Sequence, residues 1–341
     1  MTFRVAVVGT GAFAREHVLA LQGIPGVTIT HVAGSDLGRA SALAALAGGA
    51  AATTDIHTAV SGDDVDAVDV VNATPDHHRW TVAAGEAGKH VHVDKPAALT
   101  VSDFDEMVEA TEGREGTLMV GQTVRFQPVI TELQQALARG DIGDPKLLHV
   151  SWYTGHVWPN GWRGWQLDLS RSGGHPVHNG THSIDLAVWL TGSRPVEVFA
   201  RNFPTFAAEM PMPDSFQVQV RFENGALATL ELCYALRQPG EFLRRIVLVG
   251  TEGTLAHSTD DDPGLSSPGH PVAPPSIENA LNLQLAHWVR AAQGLEPFIV
   301  TTTEARVALA TAVAAQRSLE SGQPVRVDHG EPGNRVTGVA A

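Results

Sequence analysis

Cysteine is almost absent from this chain. Cys233 is the only one among 341 residues, so no disulfide can form within it, which suits a reducing cytoplasm. It falls in Leu230-Glu231-Leu232-Cys233-Tyr234, an alternating strand pattern in which it reads as a small buried hydrophobe. Basic residues are scarce as well: 23 Lys and Arg against 37 Asp and Glu give a net charge of −14. They form no cluster that could neutralise phosphates, which argues against nucleic acid as a partner and against an anionic membrane surface. No apolar run reaches the ~18 residues that a membrane helix requires. No secretory leader is visible ahead of the first strand pattern, which begins at Phe3, and the expected location is cytoplasmic. What is present, 43% hydrophobic and 18% charged residues, describes a globular protein long enough for two domains.

The first fourteen residues carry the most information. Phe3-Arg4-Val5-Ala6-Val7-Val8 is a short β-branched run, and Gly9-Thr10-Gly11-Ala12-Phe13-Ala14 follows without a gap. A helix pattern then opens at Arg15. Strand, glycine turn and helix in this order form the dinucleotide-binding fingerprint, with alanine in the third glycine place. Gly9 permits the tight turn. Gly11 lets a pyrophosphate approach backbone N–H groups where the helix dipole favours anions. Asp94-Lys95-Pro96 follows another β-like run, Lys89-His90-Val91-His92-Val93, which places an amine at the C-terminal edge of the same sheet.

Strand and helix patterns alternate to about residue 122: strands at 27–33, 65–71, 89–93 and 118–121, and helices at 38–47, 77–87 and from Thr100 or Ser102 to Thr111. Such alternation predicts parallel βαβ units with right-handed crossovers, hence a doubly wound Rossmann sheet. The rhythm then changes. After a helix at 128–139, alternating runs at 146–153, 215–222, 227–234 and 244–249 predict an α+β domain with a large, mostly antiparallel sheet. Asn224-Gly225 supplies a hairpin turn between two of them. The open face of that sheet is the expected homodimer or homotetramer interface. Residues 258–276 read as a long surface loop, 277–293 and 303–320 as helices, and 331–341 as a disordered tail. The expected domains are 1–122 and 123–330.

The densest polar cluster is Ser172-Gly173-Gly174-His175-Pro176-Val177-His178-Asn179-Gly180-Thr181-His182-Ser183-Ile184-Asp185. Helical spacing would put His178 and His182 on one face, with Asp185 beyond. Such histidines can be core residues or zinc ligands. No carboxylate or cysteine clearly completes a zinc site, and no metal is assigned. Just ahead, Trp152, Trp158, Trp162 and Trp165 suit either the C–H face of a sugar or core packing.

These motifs together resemble the Gfo/Idh/MocA oxidoreductases. The resemblance rests on the glycine turn, Asn72-Ala73-Thr74-Pro75-Asp76-His77-His78, Gly88-Lys89-His90-Val91, Asp94-Lys95-Pro96 and Gly180-Thr181-His182-Ser183-Ile184-Asp185. It implies a Rossmann domain followed by a substrate-binding and oligomerisation domain. The implied activity is hydride transfer between a nicotinamide cofactor and a hydroxyl or carbonyl of a sugar, cyclitol or related polyol. An NAD-dependent glycosidase using transient oxidation and a non-catalytic dinucleotide sensor are the alternatives. Lys95 and His182 take the roles beside nicotinamide and substrate, with His178 as a third catalytic candidate. Gly9, Gly11, Ala12, Phe13, Thr74, Pro75, His78 and Lys95 are expected to meet the cofactor. Lys95, Trp162, Arg163, His178, Asn179 and His182 are expected to meet the substrate. Arg125 falls at the expected domain junction and is read as a structural salt-bridge residue.

Two departures stand out. His178 occupies the place where many relatives carry an aspartate partner of the catalytic histidine. Gly34 replaces the acid that usually receives the ribose 2′-OH after the second strand. Ser35 and Arg39 could instead hold a 2′-phosphate, so NADP(H) is favoured over NAD(H); the competing reading has Asp36 reach the ribose and Arg39 in solvent.

Overall fold

The structure, a computed structural model, describes residues 2–155, 164–203, 212–236, 242–259, 265–266 and 277–330. Its first half alternates strands and helices: β1 (Phe3–Val8), α1 (Ala12–Gln22), β2 (Val27–Ala33), α2 (Leu37–Leu46), β3 (Ala51–Thr53), α3 (Ile56–Ser61), β4 (Ala67–Val70), α4 (His77–Glu86), β5 (His90–Asp94), α5 (Val101–Glu112) and β6 (Leu118–Gly121). All six strands are parallel, in the order β3-β2-β1-β4-β5-β6. The order reverses between β1 and β4. Open parallel sheets bind ligands in the crevice at the carboxyl ends of strands that flank such a reversal.

Every residue of β4 and β6, and all but one of β1, is buried. Helices on both faces leave such strands no polar side, which is why they read as continuous apolar runs. α5 begins where Thr100 accepts a hydrogen bond from the Asp103 N–H, a side-chain N-cap. Gly9 has φ +145°, and a Cβ there would stand 2.7 Å from the Val71 carbonyl oxygen, so this turn admits only glycine.

The second half comprises α6 (Pro128–Ala138), β7 (Pro145–Gly155), α7 (Leu169–Ser172), α8 (His175–His178), α9 (Thr181–Thr191), β8 (Pro195–Asn202), β9 (Ser215–Phe222), β10 (Leu227–Leu236), β11 (Phe242–Gly250), β12 (Thr254–Ser258), β13 (Leu265–Ser266), α10 (Ile277–Ala292), α11 (Thr302–Ser321) and β14 (Val325–Arg326). Eight strands form one sheet, ordered β13-β12-β11-β7-β10-β9-β8-β14. All neighbours are antiparallel except β7 and β10. The Asn224-Gly225 turn joins β9 to β10 as its dipeptide predicted. One face of the sheet is buried against α8, α9 and α11. α10 returns to the first sheet, where Trp288 packs edge-on to Phe3 and Gln284 donates to His92 Nε2 at 2.8 Å.

Two expectations need correction. His178 and His182 do not share a helix: α8 ends at His178 and α9 begins at Thr181. The Gly180 N–H turns back to the His175 carbonyl at 2.7 Å, and this breaks the helical register. The long loop expected at 258–276 contains β13, two residues paired to β12. Its remainder beyond Thr259, like the tail at 331–341, lies outside the described residues. Cys233 is buried on β10.

Candidate active site

Three loops meet at the carboxyl edge of the parallel sheet, after β1, β4 and β5. In the first, Gly11 begins α1 as a backbone N-cap with no side-chain cap and no acid in the first turn. A Cβ at Gly11 would meet nothing within 4 Å, so the space above the helix N-terminus is open, and Ala12 and Phe13 beside it are exposed. Uncapped N–H groups facing open space are what a pyrophosphate requires. In the second loop, Thr74 is buried and Pro75 half-buried in a single 3₁₀ turn. His77 lies buried between loops two and three, its Nδ1 2.9 Å from the Pro96 carbonyl and its Nε2 3.1 Å from the Asn72 carbonyl. His78, expected at the cofactor, instead faces Glu106 of α5, with Nε2 2.9 Å from Oε2.

After β2 the geometry explains the missing acid. A Cβ at Gly34 would approach Thr10 Cγ2 to 2.6 Å, so a side chain fits there only if the Thr10 side chain turns aside. Ser35 and Arg39 are exposed. Asp36 caps α2 by accepting from the Arg39 N–H at 2.8 Å, and its other oxygen lies 3.8 Å from Arg39 Nε. The guanidinium on which the NADP(H) expectation rests therefore stands beside a carboxylate.

Lys95 closes the third loop, where the Lys95-Pro96 peptide is cis. Its Nζ donates to the His178 carbonyl oxygen at 3.3 Å and so reaches across to α8. Burial holds the amine below its ordinary pKa, with nearby Asp94 opposing. Beside it stand His178 and His182, with His175 next to His178. His182 stacks on Trp152, with 6.0 Å between centroids and 9° between planes. Burial, then the charges of Lys95, His178 and Arg244, keep its pKa well below the ordinary value. His178 is lowered in the same way by burial, Lys95, His175 and His77. It meets Trp165 edge-on at 5.1 Å, and Gln166 Nε2 lies 3.3 Å from its Nε2. His175 stacks on Tyr234, accepts from Asn179 Nδ2 at 2.9 Å, and is carried by burial to about 4. All three rings are therefore neutral near pH 7, and His178 and His182 each bury an Nδ1 without a partner among the described residues.

The structure thus gathers Lys95, His178, Asn179 and His182, while Trp158, Trp162 and Arg163 lie outside the described residues. Asp185 turns away from the histidines to Arg125. Sequence reasoning missed His77, His175 and Arg244. The sequence showed the last only as one arginine of the alternating run at 244–249, with nothing to mark which face it took. Also missed was a group with metal-ligand chemistry, His17, Asp69 and His92, buried under α1. Its donors are spent on one another: His17 Nδ1 and His92 Nδ1 lie 2.9 and 2.8 Å from the two Asp69 oxygens. Burial alone would lower the His17 pKa, but Asp69 outweighs it and raises it.

Comparison with known proteins agrees with this geometry. Residues 3–122 match the profile "Oxidoreductase family, NAD-binding Rossmann fold", and residues 130–256 the Gfo/Idh/MocA C-terminal domain. Inositol 2-dehydrogenase 1 of Saccharopolyspora erythraea is 30% identical across 96% of this chain and 97% of its own. D-apiose dehydrogenase of Paraburkholderia graminis is 32% identical across 76% of this chain and 68% of its own. The crystal structure of a probable dehydrogenase from Thermotoga maritima superposes with a TM-score of 0.82 at 25% identity, covering 95% of this chain and 99% of that one. The chain belongs to the Gfo/Idh/MocA family of oxidoreductases.

Proposed function

We propose that this oxidoreductase moves a hydride between a nicotinamide dinucleotide and a secondary hydroxyl or carbonyl of a sugar, cyclitol or related polyol. The observation that carries this reading is Lys95, a half-buried amine at the carboxyl edge of the parallel sheet whose ammonium is disfavoured and whose hydrogen bond goes to the carbonyl of His178. When bound, nicotinamide supplies the hydride acceptor. The chain's own task is then the hydroxyl proton, which neutral Lys95 accepts at Nζ. In the opposite direction the Lys95 ammonium polarises a carbonyl oxygen. His182, held flat by Trp152 and kept neutral, positions the reacting oxygen by hydrogen bonding, and His178 supports it in place of an aspartate.

The pairing of Asp36 with Arg39 favours NAD(H): the carboxylate accepts from a ribose 2′-OH and repels a 2′-phosphate. The open face of the second sheet carries Leu147, Tyr153, Leu243, Val247 and Val249, exposed or half-buried on adjacent strands, which supports self-association there. Among the described residues no helix is long and apolar enough to cross a membrane, and the single cysteine supports a cytoplasmic location. A screen of sugars and polyols with NAD⁺ and NADP⁺, read at the nicotinamide absorbance, tests the activity. Glycoside cleavage without net cofactor turnover would replace this reading with hydrolysis.

A further inference from the structure

Among the described residues, Arg244 is a buried cation without a counter-charge. It lies on β11, opposite Trp152 of β7, and the alternation that buries Ile246 and Leu248 turns it inward with them. It is 1% exposed, yet Nε, Nη1 and Nη2 find no hydrogen-bond partner among the described residues. Two aromatic faces flank it, with the guanidinium carbon 5.2 Å from the Trp152 ring centroid and 5.8 Å from that of Phe242. Arg125 shows how this protein otherwise treats a buried guanidinium: Asp185 and Glu304 both bind it. Among the described residues no carboxylate acts on Arg244; burial moves its pKa, down to about 10. A buried charge left this way is costly, and every such unsatisfied group calls for a partner.

Its position tells where that partner belongs. The indole of Trp152 that flanks Arg244 also stacks on His182, and the Arg244 charge is among those that lower His182. Lys95, His178 and Arg244, the groups acting on His182, are cationic or basic, with no acid among them. The dinucleotide's pyrophosphate does not answer this need, because its cradle is the glycine turn on the other sheet. The missing anion therefore sits beside the reacting centre. A guanidinium fork is shaped for a carboxylate and holds it with two parallel hydrogen bonds.

We propose that Arg244 binds a carboxylate of the substrate, so that the polyol is an acidic one: an aldonate, a uronate or another polyhydroxylated acid. This rests on the polyol reading above and narrows it. Lys95 handles the hydroxyl proton, and Arg244 fixes the end of the molecule that does not react.

The test is calorimetric titration of the NADH-loaded enzyme with matched probes: D-glucuronate against D-glucose, D-galacturonate against D-galactose, and D-gluconate against D-glucitol. At least one acid should bind about tenfold more tightly than its neutral match, the gain of one charge-assisted pair. Arg244→Met should erase that preference while leaving NADH affinity unchanged, and Arg244→Lys, which keeps charge but not the fork, should retain only part of it. Equal binding of acid and neutral match in every pair overturns the proposal. So does a preference that survives both substitutions, or a loss confined to NADH binding. Hydride transfer is not read in this titration, so a failure of the polyol reading would appear separately, as absence of turnover on probes that bind.

Discussion

Asp185 grips Arg125 with both carboxylate oxygens, at 2.8 Å to Nε and 2.7 Å to Nη2, and the arginine side chain has no solvent exposure. Nη1 of the same guanidinium donates to Glu304 of α11 at 2.8 Å and to the Ile299 carbonyl at 3.0 Å. One residue just after β6 thus ties α9 and the start of α11 to the end of the parallel sheet. Removing it leaves Asp185 charged, buried and alone. Arg125→Met should therefore destabilise the protein by ~3–5 kcal/mol, and adding Asp185→Leu should return part of that loss. Urea unfolding of the two single variants and the double variant measures it. A loss below about 1 kcal/mol in Arg125→Met would assign the pair no structural role.

The parallel sheet was legible because burial on both faces forces unbroken apolar strands, and because glycine turns at fixed places join strand to helix. β3 was not legible: Ala51-Ala52-Thr53 has neither length nor β-branched content, and it exists by pairing with β2. Local motifs singled out Gly11, Lys95 and His182, and the structure places Lys95 and His182 near one another. Arg244 and the His17–Asp69–His92 network were not, since their meaning depends on which residues a register places opposite one another. The apparent helical face of His178 and His182 misled, because Gly180 interrupts the helix yet tertiary packing still brings both rings to Lys95.

Lys95→Met should lower hydride transfer by about 10²–10⁴-fold, the usual cost of losing an acid–base group. Dinucleotide affinity should stay near that of the wild type if, as proposed, the pyrophosphate is held by the backbone N–H groups after Gly11. Alcohol oxidation should rise with pH through a value below the ordinary 10.5 of lysine, since burial disfavours the ammonium. Steady-state rates across pH and cofactor titration together check this. Wild-type turnover in the methionine variant would remove Lys95 from the chemistry.

His182→Ala and His178→Ala should differ. The first removes the ring that stacks on Trp152 near Lys95 and, on the proposed role, should cost about 10²-fold or more in kcat. The second removes a neighbouring ring but keeps the backbone carbonyl that receives the Lys95 hydrogen bond, so its defect should be milder. Parallel kcat measurements decide, and equal losses would make His178 a full partner in proton transfer.

Acid should unfold the protein through its depressed histidines. A histidine whose folded pKa lies below 6.5 binds fewer protons folded than unfolded, so its penalty is absent above pH 6.5 and grows as pH falls toward the folded value. His175, carried to about 4, accounts for roughly 3 kcal/mol of lost stability at full effect, and His178 and His182 act in the same direction. His17 has the opposite sign: its raised pKa contributes stability present below 6.5 and lost as pH rises through the folded value. Urea unfolding between pH 8 and pH 4 should show stability falling from about 6.5 downward, and less steeply in His175→Gln. A flat profile to pH 5 would contradict the buried neutral histidines.

Cofactor choice turns on a loop where sterics and charge separate cleanly. A side chain at position 34 would meet Thr10 Cγ2 at 2.6 Å, so restoring the usual acceptor of the ribose 2′-OH there requires the Thr10 side chain to turn away. Asp36, two residues on, already positions the Arg39 N–H while facing the Arg39 guanidinium. If Asp36 sets the preference, Asp36→Ser should weaken NAD(H) and improve NADP(H) binding, because the substitution removes the repelling charge, frees Arg39 and keeps an N-cap oxygen. Arg39→Ala in the wild-type background should leave NAD(H) affinity nearly unchanged, because an exposed pair 3.8 Å apart contributes little. Adding Arg39→Ala to Asp36→Ser should abolish the gained NADP(H) affinity. Fluorescence titration of both reduced cofactors against the four proteins reads all of this. Tighter NADP(H) than NAD(H) binding in the wild type, lost in Arg39→Ala, would show that Arg39 escapes its carboxylate and returns the preference to the phosphate.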